Sequence, residues 1–384
     1  MGFQPKKNSR IHRDFCRKLK NIFNNKSQSV GKTSDSSKDP NTYEVSLSDS
    51  IEKKSNDLMT PERLRNYWFS NQRVPFWNYD PNQLTIGLEI EYFIAKVHGD
   101  TFTLASKAQY LEVINHLVSN SGYVDRQLKD QPGRVSKDTS NGFIAIKPDF
   151  AWHILEIALP PRHTIPEIRA LLESTFHDVD QALAKVGLER LDLSCLPDVP
   201  EKMDLVELDR LSGYQVESKQ HSSCNALAFF PALIAATHVH INCCNEESLS
   251  KVPKLYEWEP KAQKLFTRAK EFQRKVYPNV RSTFYETAFG EKYLLRTTPS
   301  KVPSSLNDYV DLLNSSSKLF PNDPFFAVRD MSYIRPTRHG TFEFRSSCSY
   351  KNIEEILMIA TFRKDQAIHA FLDKIDPRYV KRSG

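Results

Sequence analysis

The 384-residue chain holds only 12 glycines, and none of them falls in a GxGxxG or GxxxxGK[ST] pattern. Those loops let backbone amides close around phosphates, so dinucleotide-binding and P-loop architectures have no support. A nucleotide, if used, would be held some other way. The six cysteines include no CxxC pair and follow no secretory signal, which gives neither a zinc knuckle nor a disulfide framework and points to a reducing, cytoplasmic compartment. Cys243 and Cys244 adjoin a histidine motif, where they read either as metal ligands or as buried strand-end thiols. Long apolar runs are also missing. The longest, residues 226–236, carries Pro231 and falls well short of the roughly 20 residues that cross a bilayer. No internal repeat is visible.

A surplus of one charge is absent from the body as well. The net charge is +6, but residues 1–26 hold eight Lys/Arg against Asp14, a local +7 that leaves residues 27–384 at −1. Phosphate-backbone binding wants a basic stripe on the folded part, so nucleic acid is not expected as the main partner. Within the basic segment Ile11, Phe15, Leu19, Ile22 and Phe23 fall at helical spacing. That suits an anionic membrane surface, an acidic partner or an organelle address, and equally a solvated tail. Residues 27–57 are rich in Ser, Asn, Asp and Lys and read as a disordered linker. Two regions follow: a basic arm and linker over 1–57, and one folded domain over 58–384.

What is present is the composition of a globular protein, 39% hydrophobic and 26% charged. Thr60-Pro61-Glu62 opens the body with a capping residue, an early proline and an acid near the positive end of a helix. The clearest helix spans 164–186, with a Thr164/Glu167 capping box, Pro166 in its first turn and Gly187 after its end. Further helices are expected over 105–119, 260–276, 306–315 and 352–372. Strands are expected over 85–96, 143–148, 154–158, 188–194, 236–243 and 340–346.

Four segments carry chemistry. In Gly87-Leu88-Glu89-Ile90-Glu91-Tyr92 the strand period of two sets Glu89 and Glu91 side by side, opposite Leu88, Ile90 and Tyr92. A solvated face would do the same. Phe93 and Ala95, however, share the carboxylate side and hint at a partly buried cavity, in which like charges need cations. Glu156 is a lone acid in an apolar strand, needing either an ion pair or a metal. His238-Val239-His240 puts two histidines on one strand face, a frequent metal-ligand arrangement and also a common hydrogen-bonding one. Finally, Thr341, Glu343 and Arg345 alternate onto one face close to Arg335, pairing a carboxylate for a cation with guanidinium groups for phosphate, unless they form a surface salt-bridge ladder.

In this order the four segments resemble the glutamate–cysteine ligase family and its carboxylate–amine ligase relatives, in one superfamily with glutamine synthetase. The likeness runs from about Thr85 to Asp373 and takes in Asp308-Tyr309-Val310, Arg329-Asp330 and Arg335-Pro336. It implies an α+β fold whose curved, largely antiparallel sheet forms a glutamine synthetase-like funnel with helices packed outside. It further implies ATP with Mg²⁺ or Mn²⁺, the cations held by Glu89, Glu91, Glu156, His238 and Glu343. Arg335 and Arg345 would contact phosphate as catalytic groups, and His240 would lie near the nucleotide or behind the ligands. The implied substrates are glutamate or a similar carboxylate and an amine, from an amino acid or a protein side chain. Many relatives carry one more acid a few residues before Glu156, where this chain has Trp152 and His153. Two other readings stay open: a hydrolase or oxygenase with one Zn²⁺ or Fe²⁺ on His238, His240 and a carboxylate, and a binding module that keeps the fold without the reaction.

Overall fold

The computed structural model describes residues 58–72, 74–125, 133–196, 204–206, 230–266, 270–272, 275–277, 302–317 and 333–372; the basic arm, Cys16, Cys224 and Arg329-Asp330 lie outside them. Helix α1 (Pro61–Phe69) starts where the sequence signals it, with the Thr60 side chain accepting from the Arg63 amide. Then come β1 (Ile86–His98), β2 (Thr101–Leu104), α2 (Lys107–Asn120), β3 (Val124–Asp125), β4 (Val135–Thr139), β5 (Gly142–Pro148) and β6 (Ile154–Arg162). Helix α3 (Ile165–Val186) carries its capping box and ends at Gly187, whose φ of 72° is the left-handed conformation that glycine takes without strain. The chain continues through β7 (Glu189–Arg190), β8 (Ala236–Asn242), α4 (Val252–Tyr256), α5 (Glu259–Phe266), β9 (Lys270–Phe272), β10 (Lys275–Tyr277), α6 (Leu306–Ser317), β11 (Ile334–Thr337), β12 (Thr341–Cys348) and α7 (Ile353–Phe371).

Two expected elements differ. The helix expected over 260–276 stops at Phe266, and β9 and β10 pair as an antiparallel hairpin. Its strands contain Phe272, Val276 and Tyr277, residues that favour a pleated strand over a helix. The strand expected over 188–194 shortens to β7. Leu191 still donates to the Phe93 carbonyl, after which the backbone leaves β1 to bond with Leu233 and Ala235 through Leu196 and Ser194.

The main sheet runs β11-β12-β8-β1-β6-β5-β4-β3 with every pair antiparallel, and β2 and β7 also pair with β1. The fold is thus α+β. The path has two ends, β11 and β3, and the described strands form no closed ring.

The period of two in β1 divides the molecule. Ile86, Leu88, Ile90, Tyr92 and Ile94 enter the main core with residues of α3 and α7. The Tyr92 ring meets Phe176 of α3 edge-on at 5.9 Å, and Phe342 stacks on Phe371 of α7 at the same separation. Both long helices therefore cover one face, and the other is left to the acids. On that second face Phe93 and Ala95 are sealed by Ile154, Leu191, Leu193, Leu196, Leu233 and Ala235 in a smaller core, so the carboxylates end against apolar packing. No helix among the described residues is long and apolar enough to cross a membrane.

Candidate active site

Directly opposed residues of an antiparallel pair point to the same side of a sheet. The register therefore decides which side chains meet. Glu91 lies opposite Glu156, Glu89 opposite His238, and His240 opposite both Gly87 and Glu343. Arg335 faces Glu343 on the far side, and Lys147 faces Glu156. The register thus puts seven of the eight residues singled out from the sequence on the face opposite α3 and α7, and Arg345 joins them through its approach to Glu343.

The distances are short. His238 Nδ1 is 3.5 Å from Glu343 Oε1, 3.7 Å from Glu89 Oε2 and 3.9 Å from Glu91 Oε1. His240 Nε2 is 3.6 Å from Glu89 Oε1. Arg335 forks onto Glu343 Oε2 through Nε at 2.7 Å and through Nη2, and Arg345 Nε approaches Oε1 at 3.5 Å. Between Phe344 and Ser347 the register of β12 against β8 shifts, and the Arg345 amide bonds to the Tyr333 carbonyl. Such a bulge lets a strand re-aim a side chain. Lys147 Nζ sits 2.8 Å from Glu156 Oε2.

Burial makes these charges expensive, and the neighbours decide which survive. Burial alone would raise Glu343, but Arg335, Arg345 and the two histidines bring its carboxyl down to about 2. Burial likewise opposes ionisation of Glu89, yet His240, His238 and Lys147 hold it well below the ordinary range. Glu156 goes the other way: burial, with Glu89 and Asp149 adding to it, outweighs Lys147 and lifts it to about 7. For His240, burial is overcome by the Glu89 charge and the imidazole is raised.

Two groups of ligand atoms have metal-binding spacing, each within 4.8 Å: Glu89, His240 and Glu343, and Glu91, Asp149 and Glu156. Buried Glu343 Oε1, His240 Nε2 and Glu156 Oε1 make no hydrogen bond. Atoms left in that condition in a buried site fit a cation that would complete them. The second group is all oxygen and the first nearly so, a donor set that suits Mg²⁺ or Mn²⁺. His238 faces three glutamates at once, whereas His240, expected beside the nucleotide or behind the ligands, shares a group with Glu89 and Glu343.

Asp149 and Lys147 were not among the residues singled out. The connection between β5 and β6 brings Asp149 beside Glu156 and so supplies an acid earlier in the chain. Trp152 and His153 instead serve packing. Trp152 meets Tyr110 at 5.4 Å, and buried His153 stacks on Phe93 with Nε2 2.8 Å from the Ala232 carbonyl. The signal available in the sequence was the hairpin itself, since two strands joined by a short turn carry the acid after the first strand back to the start of the second.

Glu156 gives a pH-dependent expectation for the cation-free protein. Between its ordinary value of 4.5 and about 7, the folded state holds a proton that the unfolded chain has lost. Stability in EDTA should therefore fall as pH rises from 5 to 7.5, and melting at the two ends should show a drop that Glu156→Gln largely abolishes.

No protein-family model matches the chain, and no curated protein matches it. Among solved structures, it is similar to a bifunctional glutathione synthetase from Pasteurella multocida, with a TM-score of 0.43 and 14% identity over 76% of this chain and 40% of that one. The chain thus spans less than half of that protein's length.

Proposed function

We propose that the chain is an ATP-dependent carboxylate–amine ligase of the glutamate–cysteine ligase kind, its sheet forming one wall of a glutamine synthetase-like funnel. The observation that carries this reading is the single sheet face on which Glu89, Glu91, Asp149, Glu156 and Glu343 converge with two histidines, Lys147, Arg335 and Arg345. Glu89, Glu91, Glu156, His238 and Glu343, joined by Asp149 and with His240 beside them, would hold Mg²⁺ or Mn²⁺. When bound, such cations neutralise a triphosphate and the group being transferred. Arg335 and Arg345 would take phosphate oxygens, and Glu343 keeps both guanidinium groups aimed into the site.

In this reading an oxygen of the substrate carboxylate, the γ-carboxylate of glutamate for preference, attacks the γ-phosphorus and ADP leaves. The resulting acyl phosphate is attacked at its carbonyl carbon by an amine, and phosphate departs with the C–O bond pair and takes up the proton that the nitrogen sheds as the amide forms. The acceptor is an amino acid or a protein side chain. The compartment is cytoplasmic, and the basic arm would meet an acidic partner or a membrane surface.

Mass spectrometry of products after incubation with ATP, Mg²⁺, glutamate and mixed amines should reveal a new amide. Glu89→Ala and Arg345→Ala should each cut ADP release by about a hundredfold or more. Undiminished release in both variants would sink the assignment.

A further inference from the structure

Glu91, Asp149 and Glu156 are all buried, and the ammonium of Lys147 lies 2.8 Å from Glu156 Oε2. Glu156 Oε1 is buried and accepts no hydrogen bond. A lysine anchored on the neighbouring strand thus pairs with one oxygen of Glu156, while the other oxygen of that carboxylate is buried without a hydrogen bond. A divalent cation inside the cluster would lie close to that ammonium, and like charges at such range repel strongly where water is scarce. Lys147 has a way out: its side chain is 25% exposed, against 5% for Glu156, and it ends a flexible four-carbon stem.

We propose that Lys147 is the exchangeable counter-ion of this cluster: a divalent cation displaces it from Glu156 on loading, so Lys147 sets the cation concentration at which the site fills. The inference rests on reading the three acids as cation ligands and deepens the function proposed above. It gives the site an order of events. The cation-free state is held together by an internal ion pair, and loading releases the partly exposed ammonium on the sheet face where anionic substrate oxygens would arrive.

The test is Mn²⁺ titration of the full chain at pH 8 without nucleotide, followed by electron paramagnetic resonance, with melting temperatures in EDTA and in Mn²⁺. Lys147→Met should bind Mn²⁺ at this cluster about tenfold more tightly than the parent, because a competing charge is gone. Lys147→Arg should stay near the parent, and Glu156→Gln should lose the site. Lys147→Met should also melt earlier in EDTA and recover in Mn²⁺. Unchanged or weaker Mn²⁺ binding by Lys147→Met overturns the exchange, as does a Lys147→Met protein that stays unfolded in Mn²⁺. A parent that binds Mn²⁺ and yields no product removes the ligase reading and leaves the exchange standing. A productive parent with unaltered Lys147→Met affinity does the reverse.

Discussion

Replacing Glu343 with glutamine is expected to lower ADP release by about a thousandfold, the scale at which a single charge facing a developing transition state acts in a water-poor site. The substitution keeps volume and removes one charge. Oε2 accepts from two nitrogens of Arg335, while Oε1 faces His238 and Arg345, each at 3.5 Å. A glutamine amide must turn its NH₂ toward one of these sets, and a guanidinium has no acceptor to offer it. Whichever set meets the NH₂, one arginine loses its acceptor and the other keeps only an uncharged one, and the group of Glu89, His240 and Glu343 loses a carboxylate charge. The same residue also contributes to stability in the cation-free protein. Its folded carboxyl lies at about 2 against an ordinary 4.5, so its contribution is present above pH 4.5 and is lost as pH falls toward 2. Acid unfolding of Glu343→Gln in EDTA should therefore be shallower than that of the parent. ADP release within about tenfold of the parent, in a variant that circular dichroism shows to be folded, would contradict the role given to Glu343.

The parts of this site that could be read from the sequence are those set by short-range periodicity. Alternation in β1 separates Glu89 and Glu91 from Leu88, Ile90 and Tyr92 within a few residues, and the H-x-H of β8 does the same for its histidines. The capping box and terminal glycine of α3 are equally local. What could not be read depends on register between strands. Lys147 is ordinary in its own segment and becomes part of the site only because β5 sets it opposite Glu156. Asp149 requires the turn between β5 and β6, and the placement of Arg345 requires the shift in β12. The lost end of the 260–276 helix has another cause. Its apolar positions match helical spacing as well as they match two short strands, and over so few residues periodicity alone does not decide between them.

A second large effect lies on the opposite side of β12, where Arg363→Met is expected to destabilise the fold by about 3–5 kcal/mol, the usual cost of stranding a buried charge. Arg363 of α7 is fully buried, as is Glu259 at the start of α5. Its Nη1 donates to Glu259 Oε1 at 2.5 Å and to Gln366 Oε1 at 2.6 Å, and its Nη2 donates to Ser346 Oγ at 2.6 Å. Ser346 in turn donates to Glu259 Oε2 at 2.7 Å, and Gln366 Nε2 donates to the Leu255 carbonyl at 2.6 Å. The guanidinium also lies 4.9 Å from the centre of the Phe344 ring. One side chain thus joins α5, α7 and the shifted stretch of β12 that carries Arg345. Methionine keeps most of the volume and leaves the Glu259 carboxylate without its counter-charge. The cost should therefore arise from Glu259 and be relieved when that charge is removed too. In urea unfolding, Glu259→Gln combined with Arg363→Met should recover at least half of the single variant's loss, whereas Arg363→Lys should recover little, since one ammonium cannot repeat a planar fork. Additive losses in the double variant would mean that Arg363 acts through packing instead of charge.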